Sequence, residues 1–321
     1  MSRPRVFITR AIPEVALERL QASCDADVWE DMLPPPYETL IERSRGCDGV
    51  LSMLTDRIDA NFMDAAGSLR VISQMAVGYD NIDIAAAAAR GIAVGNTPGV
   101  LTEATADLTM ALLLAAARRL AEGAAYVKNG EWITWHPTVL LGADVSGAAL
   151  SIIGFGRIGQ AVARRARPFD MRVFAYSRGL TAAQAMAHNV ERAGTLTDAL
   201  RLGDFVSLHV PLTPDTRRLI DAEALRAMKS SAILINTTRG GTVDQTALFA
   251  ALRDGIIAGA ALDVTDPEPL PADDPILTLP NALIVPHIGS ATIATRRKMA
   301  LMAADNLLAG VRGEALPNRV Q

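Results

Sequence analysis

The sequence predicts an α/β protein with two domains, each built on a doubly wound parallel sheet, and a cleft between them. Its 321 residues are more than one hydrophobic core organises easily, so two domains are expected. Half of the residues are apolar but only 4% are aromatic, a composition that suits helices packed closely on parallel strands. Short β-branched runs alternate with Ala- and Leu-rich helical stretches along the whole chain.

The outer domain begins with runs that predict strands at residues 6–9, 49–53, 69–74 and 92–95. A loop follows at Thr97-Pro98-Gly99, and a long helix is predicted from Thr102, as its N-cap, through Arg119. That helix leads into the second domain. The segment from Asn129 to Pro137 then breaks every periodicity and predicts an extended arm.

The inner domain resumes the alternation and predicts a six-stranded sheet, with strands at residues 149–153, 172–176, 205–209, 232–236, 259–262 and 282–285. A last amphipathic helix is predicted at 291–310, where it can pack back on the outer domain. The outer domain is therefore assigned residues 1–99 plus 288–321, and the inner domain residues 100–287 with the arm at about 120–145.

Composition and charge exclude several classes of protein. The net charge is -4 and no basic stripe is present, so no nucleic-acid partner is expected. Cys24 and Cys47 fit no metal-ligand spacing or disulfide framework and predict reduced thiols in a cytoplasmic protein. No signal peptide is expected, and the longest apolar stretch, residues 108–117, is shorter than the roughly 20 residues that span a bilayer. No membrane partner is expected.

A Gly-rich turn opens the inner domain. Gly154, Gly156 and Gly159 form a Gly-x-Gly-x-x-Gly pattern between a predicted strand and a predicted helix at 160–166. These glycines permit a tight turn, close approach of the backbone to a pyrophosphate, and close helix packing. The context predicts a Rossmann-type dinucleotide site, with an incidental Gly-rich turn as the alternative.

The end of the second inner strand indicates which dinucleotide binds. Sites for NAD place an Asp or Glu about 20 residues after the turn, and this chain has none there. Ser177 and Arg178 offer instead a hydroxyl and a guanidinium, which suit a 2′-phosphate. NADPH is the predicted cofactor and NADH the weaker alternative. The other interpretation of Arg178 is a solvent-facing residue that only ends the strand.

An arginine and a histidine that follow inner strands predict chemistry on a 2-oxo acid. Arg239 can hold a carboxylate through two hydrogen bonds and reach the adjacent ketone, although a surface salt bridge is the alternative. His287 is the best proton donor available. Of the other histidines, His188 and His136 lie in polar segments. His209 ends a buried strand and is interpreted as structural.

Glu268 lies between two prolines, in a loop that could place its carboxylate against the imidazole of His287. Such a partner orients the ring and favours its protonated form. A solvated loop carboxylate is the alternative. Together with Arg239, this pair predicts a nicotinamide-dependent 2-hydroxy acid dehydrogenase.

Motifs spread over nearly the whole chain resemble those of the D-isomer-specific 2-hydroxyacid dehydrogenases, and within them the glyoxylate/hydroxypyruvate reductases. The motifs are Val77-Gly78-Tyr79-Asp80, the turn from Gly154 to Gly159, Thr238-Arg239-Gly240, Leu262-Asp263-Val264 with Pro267-Glu268-Pro269-Leu270, and Pro286-His287-Ile288-Gly289-Ser290. The resemblance implies a flavodoxin-like outer domain for substrate and a Rossmann-type inner domain for cofactor. Gly241 departs from the pattern, because many relatives have an acid there, and leaves the substrate open.

The resemblance also implies roles for single residues. Arg239 would bind the carboxylate and the ketone, His287 would donate the proton, and Glu268 would support His287. Substrate would further be held by the backbone N–H groups of Val77 and Gly78, with Ser290 nearby. The implied cofactor-binding set is Gly154, Gly156, Arg157, Ile158, Gly159, Ser177, Arg178, Pro211, Thr237, Asp263 and Gly289. Asp263 would lie beside the nicotinamide, with a simple strand cap as its alternative.

Trp132 and Trp135 resemble the dimer arm of the glyoxylate/hydroxypyruvate reductases, so a homodimer is expected. Trp135 would reach the substrate pocket of the partner subunit, or both indoles would only anchor the dimer. Met53, Leu54 and Trp135 would cap a small pocket that suits glyoxylate or hydroxypyruvate better than a bulky 2-oxo acid.

The expected reaction is reduction of such an acid by NADPH to the D-2-hydroxy acid. Two alternatives remain open at this point. One is a dehydrogenase of the phosphoglycerate or phosphite type, although the former usually brings an acid after the second strand and an extra C-terminal domain, neither of which is expected here. The other is a dinucleotide-sensing protein like the corepressors of this fold.

Overall fold

The computed structural model describes residues 3–320. The chain divides into two compact units. Unit 1 runs to Leu101 and resumes at Ser290, and unit 2 comprises Thr102–Gly289. In this part of the chain, none of the helices combines the length and the hydropathy that a membrane span requires.

Unit 1 contains a five-stranded parallel sheet in the order β2-β1-β3-β4-β5. Its strands are β1 (Arg5–Ile8), β2 (Asp25–Val28), β3 (Gly49–Ser52), β4 (Val71–Gln74) and β5 (Ala93–Gly95). This is the flavodoxin-like order of a doubly wound sheet. Its first helices are α1 (Glu14–Ser23), α2 (Tyr37–Ser44), α3 (Ala60–Ala66) and α4 (Ile84–Ala89).

Unit 2 contains a seven-stranded parallel sheet in the order β12-β11-β10-β9-β6-β7-β8. Its strands are β6 (Ala149–Ile153), β7 (Arg172–Tyr176), β8 (Glu191–Arg192), β9 (Phe205–Leu208), β10 (Ile233–Asn236), β11 (Gly259–Leu262) and β12 (Ala282–Ile284). The order reverses between β6 and β9, and ligands of such sheets bind outside the carboxyl ends of the strands at that point. The predicted fold class of two doubly wound parallel sheets is confirmed.

Helices cover both faces of the unit 2 sheet. They are α5 (Thr102–Ala117), α6 (Leu120–Lys128), α7 (Arg157–Ala166), α8 (Ala182–Ala187), α9 (Leu196–Leu202), α10 (Ala222–Ala227) and α11 (Gln245–Arg253). On one face α5 packs against α7, and on the other α10 packs against α9 and α11. One apolar cluster fills each face, so the strands are buried on both sides and their carboxyl ends are held rigidly.

The last helix, α12 (Ile293–Val311), packs in unit 1 against β3, β4, β5 and α1. It approaches the sheet closely because of Gly310, where an added Cβ would lie 2.4 Å from the Cβ of Val71. The Asn306 amide also donates to the carbonyl of Asn96 at 2.9 Å. The first contact holds α12 on the start of β4, and the second holds the loop that follows β5.

Several local predictions were wrong. The second sheet has seven strands rather than six, because the two-residue β8 was missed, and β2 was missed in unit 1. The long helix begins at Thr102, which is therefore not its N-cap, and ends at Ala117. Arg119 has a φ of 51° and separates that helix from α6. Residues 120–128 of the predicted arm are thus helical.

Candidate active site

The Gly-rich turn joins β6 to α7. Gly154 has a φ of +97°, and an added Cβ would lie 2.5 Å from a backbone carbonyl oxygen beyond β9. A Cβ on Gly159 would lie 2.3 Å from the carbonyl oxygen of Gly154. The end of β6 and the start of α7 can therefore come this close only because both positions are glycine. Gly156 instead borders open space at the N-terminus of α7, which begins with Arg157 and Ile158. This geometry fits the pyrophosphate of a dinucleotide.

Arg178, just beyond β7, has an acidic partner that its local sequence does not show. Its Nη1 lies 2.7 Å from Oδ2 of Asp215, which comes from the loop after β9, and both side chains are mostly exposed. Ser177 precedes it and accepts a backbone hydrogen bond from Leu180. A 2′-phosphate bound at Arg178 would therefore share the guanidinium with Asp215.

His209 is not available as a proton donor. Burial lowers its pKa to about 3. Its Nε2 lies 2.8 Å from the Ser207 hydroxyl, and its backbone N–H donates to the carbonyl of Ile153 at 2.7 Å. An imidazole that remains neutral through the physiological pH range cannot deliver a proton to a substrate.

Arg239 follows β10 and is held at its backbone. Its carbonyl oxygen accepts hydrogen bonds from the Asn236 amide at 3.0 Å and the Thr242 hydroxyl at 2.7 Å. Its Nη1 donates to the carbonyl of Thr238 at 2.9 Å. The chain turns sharply at Gly240, where a Cβ would lie 1.9 Å from a carbonyl oxygen of the loop after β11. These contacts fix the point from which the guanidinium extends.

His287 and Glu268 are in direct contact. The Nδ1 atom of His287 lies 2.5 Å from Oε1 of Glu268, and both side chains are partly buried. With Nδ1 engaged, Nε2 is the ring nitrogen left to donate a proton. Because β10, β11 and β12 are parallel neighbours, Arg239 and His287 lie at the same carboxyl edge of the sheet.

Asp263 fastens the turn that carries His287. Its carboxylate accepts the backbone N–H of Ile288 at 2.6 Å and that of Gly289 at 2.8 Å. Its carbonyl accepts the N–H of His287 at 2.9 Å. Burial raises the pKa of Asp263 above the ordinary value for an aspartate. We call these three hydrogen bonds to Asp263 the Asp263 clamp. They restrain a turn in which His287 has a left-handed φ of 53°, which residues other than glycine seldom adopt.

Unit 1 carries the other predicted substrate residues on two neighbouring strand ends. Met53 and Leu54 follow β3, and Val77 and Gly78 follow β4. Among the described residues, nothing accepts a hydrogen bond from the backbone N–H of Val77 or Gly78. Two consecutive N–H groups of this kind can bind an anion. The structure thus brings these four residues together within unit 1, and Arg239, Glu268 and His287 together within unit 2.

The remaining predicted residues lie in loops. Thr237 directly follows β10, with its hydroxyl 3.0 Å from that of Thr109 on α5, and Pro211 follows β9. Ser290 begins the segment that leads into α12. Trp132 and Trp135 lie in the irregular segment after α6, where their side chains are exposed.

Three further residues organise this region and were not predicted from the sequence: Asn236, Thr109 and Asp215. Asn236, which holds the backbone of Arg239, could have been found as a polar residue at the end of an apolar strand. Thr109 and Asp215 could not. They lie 128 and 37 residues from Thr237 and Arg178, and no local pattern marks either pair.

Comparison with known proteins gives one consistent result. Residues 110–289 match the NAD-binding domain of the D-isomer-specific 2-hydroxyacid dehydrogenases. The glyoxylate reductase of Korarchaeum cryptofilum is 52% identical over 99% of this chain and 96% of its own length, and that of Aeropyrum pernix is 48% identical over 100% and 96%.

A solved structure shares the fold over nearly its whole length. The NADPH-dependent glyoxylate/hydroxypyruvate reductase of Sinorhizobium meliloti, in complex with NADP and malonate, is 33% identical with a TM-score of 0.89, and the match covers 99% of this chain and 97% of that one. Family model, relatives and structure agree. The chain therefore belongs to the D-isomer-specific 2-hydroxyacid dehydrogenases, and within them it is an NAD(P)-dependent dehydrogenase of the glyoxylate reductase type.

Proposed function

We propose that this dehydrogenase reduces glyoxylate and hydroxypyruvate to the D-2-hydroxy acid, prefers NADPH, and uses His287 as the proton donor. The contact of 2.5 Å between His287 and Glu268, at the same sheet edge as Arg239, is the observation that carries the proposal. It supplies a proton donor, its orienting carboxylate and a carboxylate-binding cation. The names of the relatives, glyoxylate reductase, support the choice of substrate.

The proposed reaction gives the dinucleotide and each of these residues a definite role. The bound dinucleotide supplies the hydride. Arg239 binds the substrate carboxylate and polarises the ketone. The backbone N–H groups of Val77 and Gly78 are of the kind that binds a carboxylate, and substrate binding is their proposed role. His287 gives its Nε2 proton to the ketone oxygen, and Glu268 stabilises the imidazolium before transfer.

Unit 2 would hold the cofactor and unit 1 would supply the substrate loops. The pyrophosphate would bind at Gly156 and at the N–H groups of Arg157 and Ile158, which the open space there accommodates. The rest of the cofactor-binding set would be Gly154, Gly159, Ser177, Arg178, Pro211, Thr237, Asp263 and Gly289. Substrate would also be bordered by Met53, Leu54 and Ser290.

A panel of 2-oxo acids tested with both cofactors checks this proposal. Glyoxylate and hydroxypyruvate are expected to give the highest kcat/KM, above pyruvate and well above phenylpyruvate, and chiral analysis of the reduced hydroxypyruvate is expected to give the D-isomer. A protein that binds dinucleotide tightly but reduces none of these acids would instead be a dinucleotide sensor.

The cofactor preference is expected to depend on Arg178. Its guanidinium would form a charge-assisted contact with a 2′-phosphate, so Arg178→Ala should lower kcat/KM for NADPH by about tenfold and leave that for NADH nearly unchanged. Arg172→Ala is the matched control, because it removes an arginine of similar exposure from the opposite end of β7. An unchanged NADPH to NADH ratio in the Arg178 variant would show that this residue does not read the phosphate.

Trp135 is expected to act across a dimer. Its side chain is 79% exposed in an irregular segment, which fits a residue covered by another subunit. Trp135→Ala should change the ratio of kcat/KM for hydroxypyruvate and glyoxylate by several-fold, while sedimentation velocity still shows a dimer. Trp132→Ala serves as the comparison. If both variants only weaken the dimer and leave the ratio alone, the indoles are anchors and do not reach the pocket.

A further inference from the structure

Two loops at the carboxyl edge of the unit 1 sheet are tied to each other by one side chain. Loop A comprises residues 53–56 after β3, and loop B comprises residues 75–81 after β4. Asn81, at the end of loop B, donates its two amide hydrogens to loop A, to the carbonyl of Met53 at 3.0 Å and to that of Asp56 at 2.8 Å. Because a primary amide has only two N–H bonds, both are used in joining the loops.

Gln74, the last residue of β4, holds the side chain of Asn81 through a hydrogen bond. Its Nε2 donates to Oδ1 of Asn81 at 2.8 Å and, at a longer 3.4 Å, to the carbonyl of Gly78 in loop B. Its Oε1 accepts the hydroxyl hydrogen of Ser52, the last residue of β3, at 2.6 Å. Ser52 and Gln74 are fully buried, so each of these polar atoms depends on its partner.

Asp56 closes loop A from its other side. Its Oδ2 accepts the backbone N–H of Met53 at 2.7 Å and the hydroxyl of Thr9 at 2.5 Å, and its side chain is almost completely buried. The N–H and the carbonyl of Met53 are therefore both occupied, the first by Asp56 and the second by Asn81. Loop A cannot move relative to loop B without breaking several buried hydrogen bonds.

The loops joined in this way carry the groups proposed to hold the substrate. Loop A presents the side chains of Met53 and Leu54. Loop B presents the N–H groups of Val77 and Gly78, which donate to no described residue. Asn81 is not itself proposed to contact the substrate. It fixes the spacing between the side chains of loop A and the N–H groups of loop B.

We infer that Asn81 and Gln74 are positioning residues for the 2-oxo acid: they set the distance between the carboxylate-binding N–H groups of loop B and the pocket wall formed by loop A. This inference rests on the proposed function. Loosening the network should weaken substrate binding far more than hydride transfer, because the proton donor and the cofactor turn belong to unit 2.

Asn81→Ala tests the inference through the separation of KM from kcat. The KM for glyoxylate should rise about tenfold or more, kcat should change by less than about threefold, and the Kd for NADPH, measured by its fluorescence, should stay the same. Ser73→Ala is the matched control. Ser73 is a fully buried residue of β4, the strand that leads into loop B. Its hydroxyl donates to the carbonyl of Ala303 in α12 at 2.7 Å, away from both loops. It should lower Tm without raising KM.

A second variant keeps the test decisive if Asn81→Ala does not fold. Thr9→Val removes the hydroxyl that donates to Asp56 and keeps the volume of the side chain nearly constant. Because Thr9 lies at the far end of the network, the KM of this variant for glyoxylate should also rise, by a smaller factor than in Asn81→Ala. Equal KM values for the Thr9 or Asn81 variant and the Ser73 variant would overturn the inference and leave these residues with a structural role only. Absence of 2-oxo acid reduction by the unmodified protein would instead overturn the proposed function.

Discussion

Arg239→Ala is expected to lower kcat/KM for glyoxylate by about a thousandfold. One guanidinium is proposed to bind the carboxylate and to stabilise the charge that develops on the ketone oxygen, and loss of a preorganised donor of this kind costs about a hundredfold to a thousandfold in kcat alone. Arg239→Lys should recover only a small part of the loss, because an ammonium group cannot form the two-pronged contact. Steady-state kinetics of both variants measure the effect.

The control for Arg239 is Arg253→Ala. Arg253 belongs to the same unit, is exposed, and pairs with Asp254 at the end of α11. Its removal changes the net charge equally and should leave kcat/KM within about twofold. Retention of more than a tenth of the activity in Arg239→Ala, with unchanged Kd for NADPH, would place the carboxylate site elsewhere.

His287→Gln is expected to reduce kcat by about a thousandfold or more, because general acid catalysis contributes about a hundredfold to ten-thousandfold and the other histidine at this edge of the sheet, His209 after β9, has a pKa that burial lowers to about 3. Steady-state kinetics with glyoxylate measure the loss, and the Kd for NADPH should stay nearly unchanged, because the Gly-rich turn follows β6 and not β12. Retention of more than a tenth of kcat would show that another group donates the proton.

Glu268→Gln distinguishes the support of His287 from the donation itself. A neutral amide removes the negative charge that lies 2.5 Å from Nδ1 of the ring, so kcat for reduction should fall by about tenfold, a smaller loss than in His287→Gln. Asp273→Asn, which removes an exposed acid from the same loop, should leave kcat within about twofold. If kcat of Glu268→Gln also stays within about twofold, the charge of this carboxylate does not assist the proton donor.

Much of this architecture could be predicted from the sequence because buried parallel strands leave a strong apolar signal. Every predicted strand is present, with ends that differ by at most two residues. The missed strands, β2 and β8, each lie at the edge of a sheet, where one neighbour and partial exposure permit polar sequences such as Asp25 to Val28. Edge strands lack the apolar run on which the prediction depended.

The candidate site was predictable only in part, for a related reason. Arg239 and His287 stand next to strands with strong signals, so the topology alone brings them to one edge of the sheet. The partners of other residues depend on tertiary contacts. Asp215 beside Arg178 and Asn81 across loop A are polar residues in loops, and only the folded chain shows which atoms they meet.

The left-handed backbone at His287 has a cost in folding stability. A glycine would adopt a φ of 53° without penalty, whereas a side chain there costs about 1–2 kcal/mol. That is a sizeable part of the net stability of a folded domain. The chain retains the histidine and restrains it with three hydrogen bonds from the Asp263 clamp. At this position the protein is less stable than it could be, and a search for more heat-resistant variants would be drawn toward the residue proposed to do the chemistry.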